Sequence, residues 1–184
     1  MTGPDKRRAL IAYHAAGARL GRRSDFAALV DLCDAGFRAH ARRLCDDAET
    51  ARDLVQESWI AIARALPGLR DETAFLAFAL RIVTRAAARE VHRRQRSRTA
   101  DSGFAEQQPG SLPASDASAQ DIEAALAALP PPQRAALALY AFEGLSVAEV
   151  AHALDIPPGT VKTRLMQARA RLRAHLEGED HGQS

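Results

Sequence analysis

Aromatic residues are scarce in this chain, at 5% of 184 residues with a single tryptophan. β-branched residues are sparse as well, and no stretch alternates between apolar and polar over strand length. Such a sequence cannot fill a sandwich or barrel, whereas its abundant alanine and leucine suit helices; the expected class is all-α. Only two cysteines are present, Cys33 and Cys45, too few for a disulfide framework. If one helix spans them they lie roughly 18 Å apart, beyond disulfide reach. With His40 between them the three sit on different faces, so no metal site is expected, and reduced thiols in a cytoplasmic protein fit best. Long apolar runs are missing too: the N-terminal one is broken by His14 and Arg19, and neither a signal peptide nor a membrane span is expected. No internal repeat, glycine-rich phosphate loop, Ser-His-Asp set or zinc-ligand spacing occurs, so neither enzymatic activity nor a cofactor is expected.

The charge is uneven although its formal sum is only +2. Residues 81–98, RIVTRAAAREVHRRQRSR, hold seven arginines against one glutamate, while acids dominate DDAETARDLVQE at 46–57. Charges separated in this way fit one anionic partner and one cationic or polar partner. Residues 99–120 are rich in Ser, Ala, Gly, Pro and Gln and carry only acids, Asp101, Glu106 and Asp116. They read as a flexible linker between a helical domain at 1–98 and a smaller one at 121–177, with 178–184 as a tail.

In the first domain the pattern predicts helices over 6–19, from Ser24 or Asp25 to Leu44, from Asp46 and Asp47 to just before Pro67, and from Thr73 to about Arg96. The third gathers Leu54, Val55, Ser58, Ile62 and Leu66 on one side with Trp59 at its edge. Asp53, Gln56, Glu57 and Ile60 lie opposite, and an isoleucine among acids and an amide suits a docking face as well as it suits plain solvent. The fourth is expected to bury Phe75, Phe78, Ala79, Ile82, Val83 and Ala86. Arg81, Arg85, His92 and Arg96 run beside that face as a phosphate-tracking stripe.

The C-terminal stretch SVAEVAHALDIPPGTVKTRLMQARARLRAHL has the clearest design. Ser146 and Glu149 make a capping box for a helix from Val147. Pro157 and Pro158 end that helix and open another. In the second helix Val161, Leu165, Ala168 and Leu172 form the buried stripe, and Thr163, Met166, Gln167 and Ala170 point away from it. Lys162, Arg169 and Arg173 flank that outward strip on one side, Arg164 and Arg171 on the other. A polar strip edged by cations suits a major groove, with base edges below and phosphate walls on both flanks. With a capped helix and a short turn before it, this is a helix-turn-helix.

The strings DAETARDLVQESWIAIARAL, FLAFALRIVTRAAAREVHRRQR and LAALPPPQRAALALYAFEGLSVAEVAHALDIPPGTVKTRLMQARARLRAHL together resemble the extracytoplasmic-function sigma factors of bacterial RNA polymerase. The resemblance covers nearly the whole chain in order. It implies a region 2 domain, a linker, and a region 4 domain, together directing promoter-specific initiation. Asp53, Gln56, Glu57 and Ile60 would dock on the β′ clamp helices of core polymerase, whose β subunit would also be touched. The loop at 67–73 and the helix after it would open the −10 element through Arg70, Asp71, Thr73, Arg81, Arg85, Arg89 and Arg93. The last helix would read the −35 element through Thr160, Lys162, Thr163, Arg164, Met166, Gln167, Arg169 and Arg171. The linker would thread toward the RNA exit path, and an anti-sigma factor would hold the protein inactive. Phe78, Arg85, Arg89 and Asp155 depart from the family pattern, which favours tryptophan, asparagine, aspartate and glycine at those positions.

Two other classes are compatible with parts of this pattern. One is a helix-turn-helix regulator binding duplex DNA unaided, which would want a dimer surface or a ligand domain. The other is a sigma-like decoy that captures an anti-sigma factor, against which the cations beside the outward strip argue.

Overall fold

The structure, a computed structural model, describes residues 3–45, 47–101 and 117–180. Every regular element among them is helical: α1 Gly3–Arg19, α2 Arg23–Leu44, α3 Ala48–Ala65, α4 Phe75–Asp101, α5 Ala117–Ala127, α6 Pro131–Leu137, α7 Val147–Leu154 and α8 Pro158–Asp180. Two 3-10 turns, Leu66–Gly68 and Glu72–Ala74, join α3 to α4. Of the expected linker, 102–116 lies outside the described residues, whereas α4 runs on to Asp101 and α5 begins at Ala117. Among the described residues no helix is long and apolar enough to cross a membrane.

Local chemistry sets most boundaries. Asp47 caps α3, accepting from the Thr50 amide at 3.0 Å and the Glu49 amide at 3.3 Å. The Thr50 hydroxyl bond, chiefly, holds the Asp47 carboxyl down to about 2. α2 departs from expectation. Its cap position is Arg22, not Ser24 or Asp25, because the Asp25 carboxylate turns inward to His14 Nδ1 at 2.8 Å and lies against Gly17. A Cβ at Gly17 would stand 2.0 Å from Asp25 Oδ2, so only glycine admits this contact. Trp59 is buried rather than at an edge, between Phe26 and Phe37 with centroids at 5.7 and 5.1 Å, and its indole N–H donates to Asp34 at 3.0 Å.

The buried arc of α4 is wider than the single stripe expected. Phe75, Ala79 and Val83 are buried, but so are Leu76, Leu80, Thr84 and Ala87, while Phe78, Ile82 and Ala86 are only half-buried. The reason is tertiary: α2 and α3 pack on one side of α4 and α7 on another.

In the C-terminal half, α6 widens into a π turn over Ala138–Phe142 instead of continuing as one α-helix. The Glu143 amide closes the wide turn on the Ala138 carbonyl at 3.2 Å, and Gly144 follows at φ +65°. The capping box of α7 is formed as expected, with Glu149 N–H on Ser146 Oγ at 3.2 Å and Ser146 N–H on Glu149 Oε2 at 2.7 Å. α7 ends on Asp155 in the left-handed conformation, φ 58° and ψ 48°, and the Ile156 amide reaches back to the Ala151 carbonyl at 3.1 Å. Asp is among the few residues that bear this geometry. Val161, Leu165 and Ala168 are buried and Leu172 packs against the same core, as the periodicity requires.

Cys33 and Cys45 are buried and not joined in a disulfide, and burial pushes the Cys33 thiol up to about 11, so it stays protonated. No group of metal-ligating side chains occurs among the described residues.

Candidate nucleic-acid and polymerase surfaces

The helix-turn-helix buries one stripe of α8 and leaves the opposite side open to solvent. Lys162, Thr163, Met166, Gln167, Arg169, Arg171 and Arg173 are exposed, Met166 to 64%, while Thr160 and Arg164 are half-buried. All lie on one helix, so the structure brings this set together as a single surface. Two members are already oriented. The Thr163 hydroxyl donates to the Gly159 carbonyl at 3.1 Å, which leaves its lone pairs outward. Gln133, at the start of α6, donates from Nε2 to Gln167 Oε1 at 3.0 Å. With its oxygen taken, the Gln167 amide is left as a donor of two N–H groups, suited to acceptors on a base edge. Arg169 lies over the Tyr140 ring at 5.5 Å, which limits its range. Gln133 was given no role from sequence; the only signal was its position in the LPPPQR stretch, which does not say that it faces α8.

On α3, Asp53, Gln56, Glu57 and Ile60 form one exposed face opposite Leu54, Val55, Ser58 and Ile62, with Ile60 at 53% exposure. Asp53 and Glu57 carry no ion-pair partner among the described residues. An acidic pair beside an open apolar side chain has the chemistry a cationic partner would need.

The third set is divided. Arg70, Asp71 and Thr73 lie exposed on the loop before α4. Asp71 accepts from the Thr73 amide at 2.9 Å and from its hydroxyl at 2.6 Å, and that hydroxyl bond, first, lowers the Asp71 carboxyl below the usual range. Arg19 of α1 anchors the loop, donating to the Leu69 carbonyl at 3.1 Å and pairing with Glu72 at 2.8 Å. On α4, Arg89 is exposed, but Arg93 is forked onto Glu90 with both bonds at 2.8 Å. Glu90 also receives Arg94, and the Arg93 bond above all brings its carboxyl down to about 2. Arg94 reaches on to Asp47 at 3.3 Å and to Thr50, tying α4 to the start of α3.

Arg81 and Arg85 meet the C-terminal half. Asp155 Oδ2 lies 2.8 Å from Arg85 and 3.6 Å from Arg81, so two positions at which the resemblance breaks, Arg85 and Asp155, face each other. Elsewhere along the boundary Arg8 donates to the Gly144 carbonyl at 2.6 Å and pairs with Glu149 at 3.1 Å. Arg43 pairs with Glu143 at 3.2 Å and lies 4.1 Å over the Phe142 ring. Beneath Arg43, His40 is wholly buried, its Nε2 bonded to the Thr84 hydroxyl at 2.8 Å and its Nδ1 3.8 Å from Glu143. Burial, then the nearby Arg43 charge, press the His40 imidazole down to about 3. Burial raises the Glu143 carboxyl despite Arg43 and Arg7. None of these boundary contacts was legible in sequence, since they join residues about 70 to 140 positions apart.

Known proteins share both halves. The Sigma-70 region 2 family matches residues 29–98 and the Sigma-70, region 4, family matches residues 119–172. The chain is 30% identical over 175 residues to the ECF RNA polymerase sigma factor SigM of Mycobacterium tuberculosis, covering 89% of this chain and 81% of that protein. It is 30% identical over 141 residues to the RNA polymerase sigma-H factor of Pseudomonas aeruginosa, covering 69% and 73%. Against the ECF sigma factor SigE of Mycolicibacterium smegmatis it is 33% identical over 146 residues, 74% of this chain but 55% of the longer SigE. Among solved structures, the sigma factor RpoE bound to the anti-sigma factor NepR from Bartonella quintana superposes with a TM-score of 0.74 at 26% identity, over 83% of this chain and 97% of that one. CnrH, solved with the cytosolic domain of CnrY, shares the fold with a TM-score of 0.71 at 24% identity, over 92% of this chain and 98% of that one. Two family regions in the right order, and relatives matched along most of their length, place this chain in the extracytoplasmic-function family of RNA polymerase sigma factors.

Proposed function

We propose that this chain is an initiating sigma factor, which binds core RNA polymerase and directs it to promoters. The α3 face of Asp53, Gln56, Glu57 and Ile60 docks on the polymerase β′ clamp helices, and the C-terminal half also meets the β subunit. α8 enters the major groove of the −35 element, where Thr163, Met166 and Gln167 reach base edges. Lys162, Arg164, Arg169 and Arg171 hold phosphates. Arg70, Asp71 and Thr73 on the anchored loop and Arg81, Arg85, Arg89 and Arg93 on α4 engage the opening −10 element. The observation that carries this reading is the exposed polar strip of α8 between two rows of cations, on a capped helix-turn-helix. The protein has no chemistry of its own to perform; it works by positioning polymerase, in the cytoplasm where polymerase acts. The compact arrangement superposes on a sigma factor captured with its anti-sigma partner, which supports an anti-sigma factor as a further partner here.

The test is run-off transcription with purified core polymerase over a library of genomic fragments. Discrete transcripts from a small set of start sites, only when the chain is added, are expected. Tight unaided binding to duplex sites without any transcript would instead make it a conventional helix-turn-helix regulator. Capture of an anti-sigma factor with no DNA binding at all would make it a decoy.

A further inference from the structure

We propose that Gln133 is a specificity-determining residue: from the start of α6 it turns the Gln167 amide so that α8 offers a base pair two N–H donors and no acceptor, which selects guanine there and disfavours adenine. The inference rests on the reading of Gln167 as a base-contacting residue and adds which base it takes and what sets that choice.

Local chemistry holds the Gln133 side still. Pro131 and Pro132 fill the first two positions of α6, and their rings fix the backbone near helical values just before Gln133. The Gln133 backbone N–H closes the turn on the Pro130 carbonyl at 2.9 Å, and the Arg134 guanidinium donates to the Leu129 carbonyl at 3.3 Å. α6 packs against α8, where Gln133 is 8% exposed while Gln167 is open to solvent. The buried side chain has few rotamers open to it and the exposed one many, so Gln133 dictates and Gln167 follows.

The direction of their bond is decided by what lies behind it. Gln133 Nε2 donates to Gln167 Oε1 at 3.0 Å, and Gln133 Oε1 is buried with no hydrogen-bond partner among the described residues. Exchanging oxygen and nitrogen in both amides would keep a bond between them. It would also put an NH2 group, with two donors, where that single unpartnered oxygen now lies. Orphaned buried donors are the costlier case, so the pair runs one way.

The consequence for base reading follows from the shape of an amide. Oxygen and nitrogen leave its carbon on opposite sides, so a Gln167 oxygen turned toward α6 sends the NH2 group away from it. A glutamine grips adenine through both atoms at once, oxygen on the N6 amino group and nitrogen on N7. That grip needs the two atoms on one base edge, and here it would break the bond to Gln133. Guanine shows only acceptors along the same edge, O6 and N7, and the NH2 group meets them without moving the oxygen. Cytosine presents a donor and is opposed for the same reason. Thymine offers the single acceptor O4 beside its methyl group and ranks between them.

The test is binding selection from a duplex library randomised across the −35 element, with the full chain assembled on core polymerase and the bound DNA sequenced. Gln133→Met keeps the length of the side chain and removes the donor. Gln133→Glu keeps the shape but, ionised, can only accept, so it draws a Gln167 N–H inward and turns the Gln167 oxygen out. The wild type is expected to favour guanine at one position, and Gln167→Ala to lose the preference at that position. Gln133→Met should move the guanine-to-adenine ratio there toward adenine by about fivefold or more. Gln133→Glu should move the same position toward adenine and cytosine, and every other position should stay as it was. Circular dichroism checks that each variant is folded, and either folded Gln133 variant decides the question. Both Gln133 variants matching the wild-type profile while Gln167→Ala alters it would overturn the inference and leave Gln167 as a base reader. A uniform loss of binding across all sequences, or loss of the fold in both variants, would give Gln133 a merely structural role and overturn it too. No change with Gln167→Ala at any position would refute the base-reading role of Gln167 itself, and this inference with it.

Discussion

His40 makes the stability of this protein depend on pH in a way that can be worked out from its surroundings. Thr84 of α4 faces its Nε2, Glu143 of the C-terminal half stands 3.8 Å from its Nδ1, and Arg43 lies one turn along α2. Burial and Arg43 bring its value from 6.5 down to about 3. The unfolded chain therefore takes up a proton near pH 6.5 that the folded chain refuses until about pH 3. Because the folded value is the depressed one, the contribution is whole above 6.5 and is lost progressively as pH falls toward 3. Roughly pH 5 lies about 1.5 units below the ordinary imidazole value, and at about 1.36 kcal/mol per unit the folded state has lost about 2 kcal/mol there. For a chain of this size that lowers the melting temperature by about 4–8 °C. His40→Gln keeps one hydrogen bond to Thr84 within reach and does not titrate. Thermal melts of both proteins between roughly pH 5 and 8 should show the variant with the shallower slope, by about 2 kcal/mol over the interval. Equal slopes would mean that Glu143 accepts the imidazolium as a partner and that His40 does not sit neutral as argued.

Three further outcomes are expected. Asp53→Lys with Glu57→Lys reverses the exposed acidic face without touching the buried side of α3. It should weaken binding to core polymerase at least tenfold, about 1.4 kcal/mol, with an unchanged circular dichroism spectrum. Gln167→Ala should relax base preference within the −35 element by about 1–3 kcal/mol of discrimination, whereas Arg171→Ala should weaken all promoters alike and flatten the salt dependence; identical sequence profiles for the two would refute that division of roles. Changing Asp101, Glu106 and Asp116 to lysine should lower productive initiation while leaving −35 binding by α8 intact. A Gly-Ser segment of equal length supporting full transcription would reduce this stretch to a tether.

What could be read from residues alone was local. The Ser146–Glu149 capping box, the stripe of Val161, Leu165, Ala168 and Leu172, and the exposed faces of α3 and α8 follow from spacing, because neighbours three and four apart on a helix share a side wherever the helix is placed. The corner at Asp155 was marked only through the resemblance, which favours glycine there, the residue most at ease in the left-handed conformation that Asp155 adopts. The family followed from several such strings in the right order. Sequence did not show that Leu76, Leu80, Thr84 and Ala87 would be buried, because α4 is packed from two sides and one stripe cannot announce a second neighbour. Nor did it show that Asp25 would abandon a cap for His14, that Gln133 would orient Gln167, or that Asp155 would reach Arg81 and Arg85. Each of these joins side chains from different elements. Such pairings depend on how rigid helices are set against one another, and only the tertiary structure fixes that arrangement.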